Sequence, residues 1–195
     1  MPKLDYIRIS KDKKLLLLGV SEEGERYRFT VSEGMYISIG SPTNGSILSD
    51  EELSLIKKED ERIRASKKAL SLLSYSDNNE KQLTQKLVRS GFSFELSDSV
   101  AKEMVSLGYI DEDRQLCRLI LKEANTNLLG YRRILPKLIS RGYSSKKIKE
   151  VTGRLVKDGE ISFKENAKKL IEKRLSKNAT TEEKKTLLYK NGYSV

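Results

Sequence analysis

The sequence predicts a mainly α-helical protein built of tandem three-helix repeats, preceded by a small N-terminal antiparallel β-sheet. Three observations carry this. Apolar residues alternate with polar ones within residues 4–39, then switch to helical spacing from Ser49 onward. Ser49 with Glu52, Asp77 with Glu80, Ser162 with Glu165 and Thr180 with Glu183 read as capping boxes that open helices. Gly91, Gly108, Gly142, Gly159 and Gly192 fall where those helices should stop, in the left-handed conformation common just past a helix end.

In chain order, Tyr6, Ile7 and Ile9 precede a polar turn, Lys11-Asp12-Lys13. Leu15–Val20 gives a second strand, and Glu22-Glu23-Gly24 a second turn. Tyr27, Phe29 and Val31 then alternate with Arg26, Arg28 and Thr30, and Met35–Ile39 reads as a further short piece. A sheet this small is marginal alone and calls for a helix to pack on. Gly40–Ser46 is a loop and the boundary of an N-terminal region, 1–48. A linker helix and the first repeat occupy 49–110, with repeat helices near 61–74, 78–90 and 95–107. The second repeat, 111–160, has helices near 111–125, 130–141 and 145–158. The third, 161–195, has them near 163–178 and 181–191 and lacks its third helix.

Two anchors define the period. Leu87–Phe92 recurs as Leu138–Tyr143 and again as Leu188–Tyr193, and Gly108–Asp111 matches Gly159–Ser162. A common spacing of about 50 residues marks stacked supersecondary units. Leu83 and Leu87 share the register of Ile134 and Leu138. Leu96, Val100, Met104 and Leu107 form one core stripe; Ile148, Val151, Leu155 and Val156 form its counterpart. Phe92, Tyr143 and Tyr193 each follow a capping glycine and are expected to pack back over the helix end. Lys184 stands where Ile134 stands one repeat earlier, which weakens the last core, and Pro136 is expected to kink its helix.

Charge points to a polyanionic partner. Of a net +10, residues 1–55 carry 7 basic and 9 acidic residues, whereas 126–195 carry 18 basic and 7 acidic. A localised cationic surface attracts nucleic acid first, though an acidic protein face or anionic lipid would satisfy the same field. Chemistry of its own is not indicated. There is no His, the commonest general base and zinc ligand, and no glycine-rich phosphate loop. Asp111, Asp113 and Arg114 open a helix, where acids suit the dipole; Arg114 is expected to bridge adjacent repeats. The lone Cys117, among Leu116, Leu119 and Ile120, reads as a small core residue of a reduced, cytoplasmic protein. Leu15–Leu18, the longest apolar run, is too short to span a bilayer.

The order and spacing of four segments resemble the RecX family of recombination regulators. They are Lys67–Ser74, Glu80–Phe92, Leu107–Arg114 (LGYIDEDR) and Gly130–Tyr143 (GYRRILPKLISRGY), spread over roughly two-thirds of the chain. The family-motif residues, taken as structural, are Gly91, Phe92, Gly108, Tyr109, Ile110, Asp111, Asp113, Arg114, Gly130 and Gly142. The resemblance implies three tandem three-helix repeats bent into an elongated, curved shape. It also implies a non-enzymatic regulator without cofactor or small-molecule substrate, which binds the RecA filament on single-stranded DNA. Such a protein suppresses ATPase and strand exchange in recombination and DNA repair. The N-terminal strands look like the extension of longer family members, and the missing last helix departs from the usual ending.

The residues expected to meet that partner are Arg132, Arg133, Lys137, Arg141, Lys146, Lys147, Lys149 and Arg154. Arg133, Lys137 and Arg141 are spaced four apart, so they share a helix face despite a repulsion of about 0.2–0.5 kcal/mol per pair. The bland alternative is a solvated face softened by a Glu150–Lys146 pair. Lys164, Lys168, Lys169 and Lys173 read as a solubilising face, with Glu165 paired to Lys169. A monomer is expected. The competing functions are a helical-repeat nucleic-acid binder acting without RecA and a scaffold for another acidic protein. Glu95, Asp98 and Glu103 on the third helix of the first repeat argue against insertion into a DNA groove.

Overall fold

Strands β1 (Lys3–Ile9), β2 (Leu15–Glu22) and β3 (Glu25–Ser32) form an antiparallel sheet in that order. The structure is a computed structural model and describes residues 1–10 and 14–194. The expected Lys11-Asp12-Lys13 turn lies outside the described residues. The β2–β3 turn has positive φ at both central residues, Glu23 (52°) and Gly24 (85°). That matches the primed turn whose twist suits a two-residue hairpin. Leu16, Leu18 and Val20 lie opposite Val31, Phe29 and Tyr27, so one face of the hairpin is apolar. Helix α2 (Asp50–Tyr75) lays Leu53 and Ile56 into a core with Leu4, Leu18, Val20, Phe29 and Val31. Each such side chain contributes about 1.5–3 kcal/mol on burial, the covering that a three-stranded sheet needs. On α2, buried Asp60 accepts the β3 edge donor Thr30 N–H at 2.8 Å and pairs with Arg64 at 2.9 Å.

Met35–Ile39 is no strand. Ser32 caps a short helix, α1 (Glu33–Ser38), by accepting the Met35 N–H, and the acid of Glu33 suits its first turn. The loop 40–46 runs back along β1, with Gly45 N–H donating to Leu4 O at 2.7 Å and Leu4 N–H to Ser46 O at 2.9 Å. The linker helix and first repeat helix are one 26-residue helix, opened by the reciprocal Ser49–Glu52 box.

Helices α3 (Glu80–Arg89) and α4 (Phe94–Ser106) follow, then α5 (Glu112–Leu121), which runs into a π turn, Lys122–Thr126. Next come α6 (Tyr131–Ile139), α7 (Ser145–Lys157), α8 (Phe163–Arg174) and α9 (Thr181–Lys190). Helices α6, α7 and α8 begin 51 residues after α3, α4 and α5, and α9 begins 50 after α6. All five expected stop glycines have positive φ. The molecule is thus mainly helical with tandem helix triplets and a small antiparallel sheet. Contacts divide the chain into two compact units, Met1–Tyr75 with Thr84–Ala101, and Ser76–Leu83 with Lys102–Val195.

The second unit is built around Leu116, Ile120, Ile134, Leu138, Ile148, Val151, Leu155 and Ile161. Leu107 and Val156, expected in the core stripes, are 59% and 44% exposed. Leu107 lies beyond the end of α4. Val156 is one residue, about 100° of helix, past buried Leu155. Asp77 does not cap α3. The helix starts later, with Asn79 and Gln82 exchanging bonds of 2.8 and 3.2 Å, and Asp77 instead pairs with Arg118 at 2.7 Å. Ser162 caps α8, but Glu165 bonds Lys168 rather than closing the box or pairing with Lys169. That helix stops at Arg174, short of 178. Pro136 sits inside α6, which the hydrogen-bonding pattern leaves unbroken from Tyr131 to Ile139. Around α8 and α9 the core is thin. Leu128, Leu170 and Tyr193 are buried, α9 itself buries nothing fully, and Lys184 stays half-buried.

Candidate functional site

The expected cationic face lies on α6, α7 and the turn between them, and two joints hold it. The first joint joins the start of α3 to the end of α6. Asn79 Nδ2 donates to Arg141 O at 2.8 Å. Buried Gln115 of α5 donates to Asn78 O at 3.2 Å and accepts the Tyr143 hydroxyl at 3.1 Å. Burial pushes the Tyr143 phenol up, keeping it a donor. At the second joint the end of α9 meets the start of α6. Gly130 N–H donates to Asn191 O at 2.8 Å and Arg132 N–H to Gly192 O at 3.1 Å. Asn166, buried and 51 residues after Gln115, donates to Ala124 O at 3.1 Å, and the Tyr193 hydroxyl donates to Leu128 O at 2.9 Å. So Tyr143 and Tyr193 do pack over their helix ends, and their hydroxyls add a specific bond. Phe92, lacking one, is half-buried.

Of the eight expected contact residues, three are engaged internally. Lys137 pairs with Glu123 at 2.7 Å, and Glu123 is 3% exposed. Burial pushes the Glu123 carboxyl up, but hydrogen bonds from Lys137 and Asn127 outweigh it and hold the group below its ordinary value. Lys147 lies 3.3 Å from Glu112 and 3.2 Å from Asp113. Burial lowers the Lys147 ammonium, and those two carboxylates more than restore it; Asp113 is held down chiefly by its bond from Lys147. Arg154 reaches Asp113 at 3.5 Å and the Cys117 sulfur at 3.3 Å. Cys117 is therefore a half-buried residue at the core rim, not an interior one.

The other five, Arg132, Arg133, Arg141, Lys146 and Lys149, are exposed, and among the described residues none has a carboxylate at ion-pair distance. The Glu150–Lys146 pair does not form. Arg132 and Arg133 stand in the first turn of α6, where the helix dipole disfavours cations by about 0.3–1 kcal/mol each and no acid offsets them. Arg132 lies 5.9 Å from the Tyr189 ring, and the Arg133 stem rests on Gly192. These residues, with Tyr189 and Lys190, line an open recess of about 520 Å³.

Three of the motif residues have visible local roles in the fold. Ile110 is buried, Asp111 caps α5 by accepting the Arg114 N–H at 2.9 Å, and Gly142 has φ 97°. Tyr109 is 57% exposed. Arg114 makes no bridge: its guanidinium is exposed, and Arg118 with Asp77 supplies that link. Sequence reasoning missed Asn78, Asn79, Gln115, Glu123 and Asn166. The recurrence of an amide at 115 and 166 was the available sign.

Comparison with known proteins places the fold. No family model matches the chain. A Clostridioides difficile protein named Regulatory protein RecX is 30% identical over 141 residues, covering 72% of this chain and 65% of that one. Its namesake in Caldanaerobacter subterraneus is 26% identical over 191 residues, covering 96% of this chain and 93% of the relative. Both relatives are RecX proteins by name, and the chain is similar to them over most of its length. It spans just under two-thirds of the length of the C. difficile RecX and nearly all of the C. subterraneus one. A crystal structure of regulatory protein RecX shares the fold over 100% of this chain and 95% of that one, at TM-score 0.75 and 22% identity. RecX from Lactobacillus salivarius matches 69% of the chain at TM-score 0.56 and 19% identity. These RecX relatives are regulatory proteins by name. Among the described residues no helix is long and apolar enough to cross a membrane.

Proposed function

We propose that this chain regulates a RecA recombinase filament on single-stranded DNA, chiefly by inhibition, lowering its ATP turnover and strand exchange. It acts in the cytoplasm as a monomeric binding protein with no reaction or cofactor of its own. The observation that supports this reading is the set of unspent cations on α6, α7 and their connecting turn, in a chain whose relatives are regulators. Arg132, Arg133, Arg141, Lys146 and Lys149 are exposed without carboxylate partners, two of them against the helix dipole, an arrangement suited to an anionic partner.

The test is RecA ATPase on single-stranded DNA, titrated with the protein. Turnover should fall as the protein saturates the filament; unchanged turnover at saturation refutes the reading. The side-chain pairing also dictates which residues to reverse. Lys137 holds buried Glu123, so its reversal damages the fold. Arg141→Glu, Lys146→Glu and Lys149→Glu together should abolish inhibition with an unchanged helical spectrum. Full inhibition by that folded triple variant would exclude the face.

A further inference from the structure

We propose that the outer face of the N-terminal sheet binds single-stranded nucleic acid directly, without any recombinase. The regional charge hides this surface, because residues 1–55 sum to a slight negative excess. Strand alternation sorts those charges. Cross-strand partners share a face, and the pairs Lys3–Ser21, Tyr6–Gly19, Arg8–Leu17, Ser21–Arg26 and Gly19–Arg28 all lie opposite the apolar side. Lys3, Arg8, Arg26 and Arg28 therefore project from one face, and all four are exposed. The hairpin acids go elsewhere: Glu22 pairs with Lys57 and Glu25 accepts the Tyr27 hydroxyl, both on the α2 side. Asp5, at a register shift beside Tyr6, accepts the Ser21 hydroxyl at 2.9 Å. Among the described residues no carboxylate pairs with the four cations.

An aromatic stack stands in the middle of this charge. Gly19 occurs mid-strand because a Cβ there would enter the Tyr6 ring, so the ring lies flat on the sheet. The Arg8 guanidinium sits 5.0 Å from the ring centroid. An arginine positioned by a ring rather than by a carboxylate keeps its N–H donors for phosphate oxygens, and its plane is open to a base. Arg26 and Arg28 stand about 6.7 Å apart along β3, and β1 and β3 about 10 Å apart across the sheet. A flat cationic surface with a stacking centre suits unpaired bases and a flexible backbone. A duplex keeps its base faces stacked inside and has none to offer.

The test uses the full chain alone, with a fluorescent twenty-nucleotide oligothymidine and anisotropy as the readout. Arg8→Gln, Arg26→Gln and Arg28→Gln together should weaken binding at least tenfold in low salt. They should also flatten the slope of log affinity on log salt by about 2, at roughly 0.7 per lost phosphate contact. Tyr6→Leu should cost about fivefold or more, while Tyr6→Phe keeps wild-type affinity. Light-induced coupling of an iodouracil oligonucleotide should map to the β1 peptide. Wild-type affinity in the folded arginine variant overturns the proposal. So does coupling confined to α6–α9, equal binding of a duplex of the same length, or equal binding of poly-glutamate. No recombinase is present, so this assay and the ATPase titration fail independently.

Discussion

The two joints on either side of α6 solve one geometric problem with different chemistry. Each seats a Gly-Tyr pair at a helix end against the start of another helix, and each buries an amide 51 residues from its counterpart. At the first, side chains make the contact: the Asn79 amide grips Arg141 O, and Gln115 links Tyr143 to Asn78. At the second, backbone meets backbone, with Gly130 N–H on Asn191 O and Arg132 N–H on Gly192 O. Backbone contact brings the chains closer and forbids Cβ atoms; side-chain contact leaves room but needs particular amides. A repeat thus conserves the position of a contact more strictly than the groups that make it.

The sharpest way to break this comparison is to add the same methyl group to both joints. Gly192→Ala combines left-handed strain with a collision against the Arg133 backbone and should cost about 3 kcal/mol or more. Gly142→Ala bears the same strain but meets only the Lys81 and Asn79 side chains, at 3.3 and 3.4 Å, and should cost about 1–2 kcal/mol. Urea unfolding reads both, and equal costs would remove the distinction. Gln115→Leu tests the side-chain joint. It removes the bonds that Gln115 makes to the Tyr143 hydroxyl and the Asn78 carbonyl and should cost about 2 kcal/mol. Faster amide exchange at 78–84 should accompany that loss, with 181–194 unchanged.

Lys137→Gln tests whether the π turn supports the second joint, because Glu123 also takes the Asn127 amide beside it. The expected loss at neutral pH is about 1 kcal/mol, since Lys137 is 42% exposed and water screens the pair. The sign with pH follows from the lowered Glu123 carboxyl. Its contribution is complete above the ordinary glutamate value of about 4.3 and fades as pH falls through the lower folded value. Wild type and variant should therefore converge in that acid window; a gap constant down to pH 3 would show the pair to be uncoupled from folding. Smallest of all, Tyr193→Phe should cost about 1 kcal/mol by removing one bond to Leu128 O. No change in thermal midpoint would mean that ring burial alone seats α9.

Much of the fold was legible in sequence. Ser49, Thr180 and the positive-φ glycines act within a few residues of themselves, so their roles need no distant partner. The alternation at Tyr27–Val31 marked a strand, and Phe29 and Val31 do turn to the core. Misreadings arose where neighbours compete. Ser32 made a helix of Met35–Ile39, and Arg118 drew Asp77 from the cap left to Asn79. The cationic segment was visible as composition, but three of its eight cations hold carboxylates of α5 or its π turn. No one-dimensional pattern separates a spent lysine such as Lys147 from an exposed one such as Lys146.

By itself the sequence determined the helix triplets, their period near 50 residues, the sheet and the likeness to RecX, because periodicity, caps and stop glycines are local. Only the tertiary structure decided which cations stay free, how each joint is made, and that Lys3, Arg8, Arg26 and Arg28 share a face around Tyr6. The reason is physical. Ion pairs and buried hydrogen bonds depend on distances of about 3 Å between groups dozens of residues apart, which only the folded chain sets.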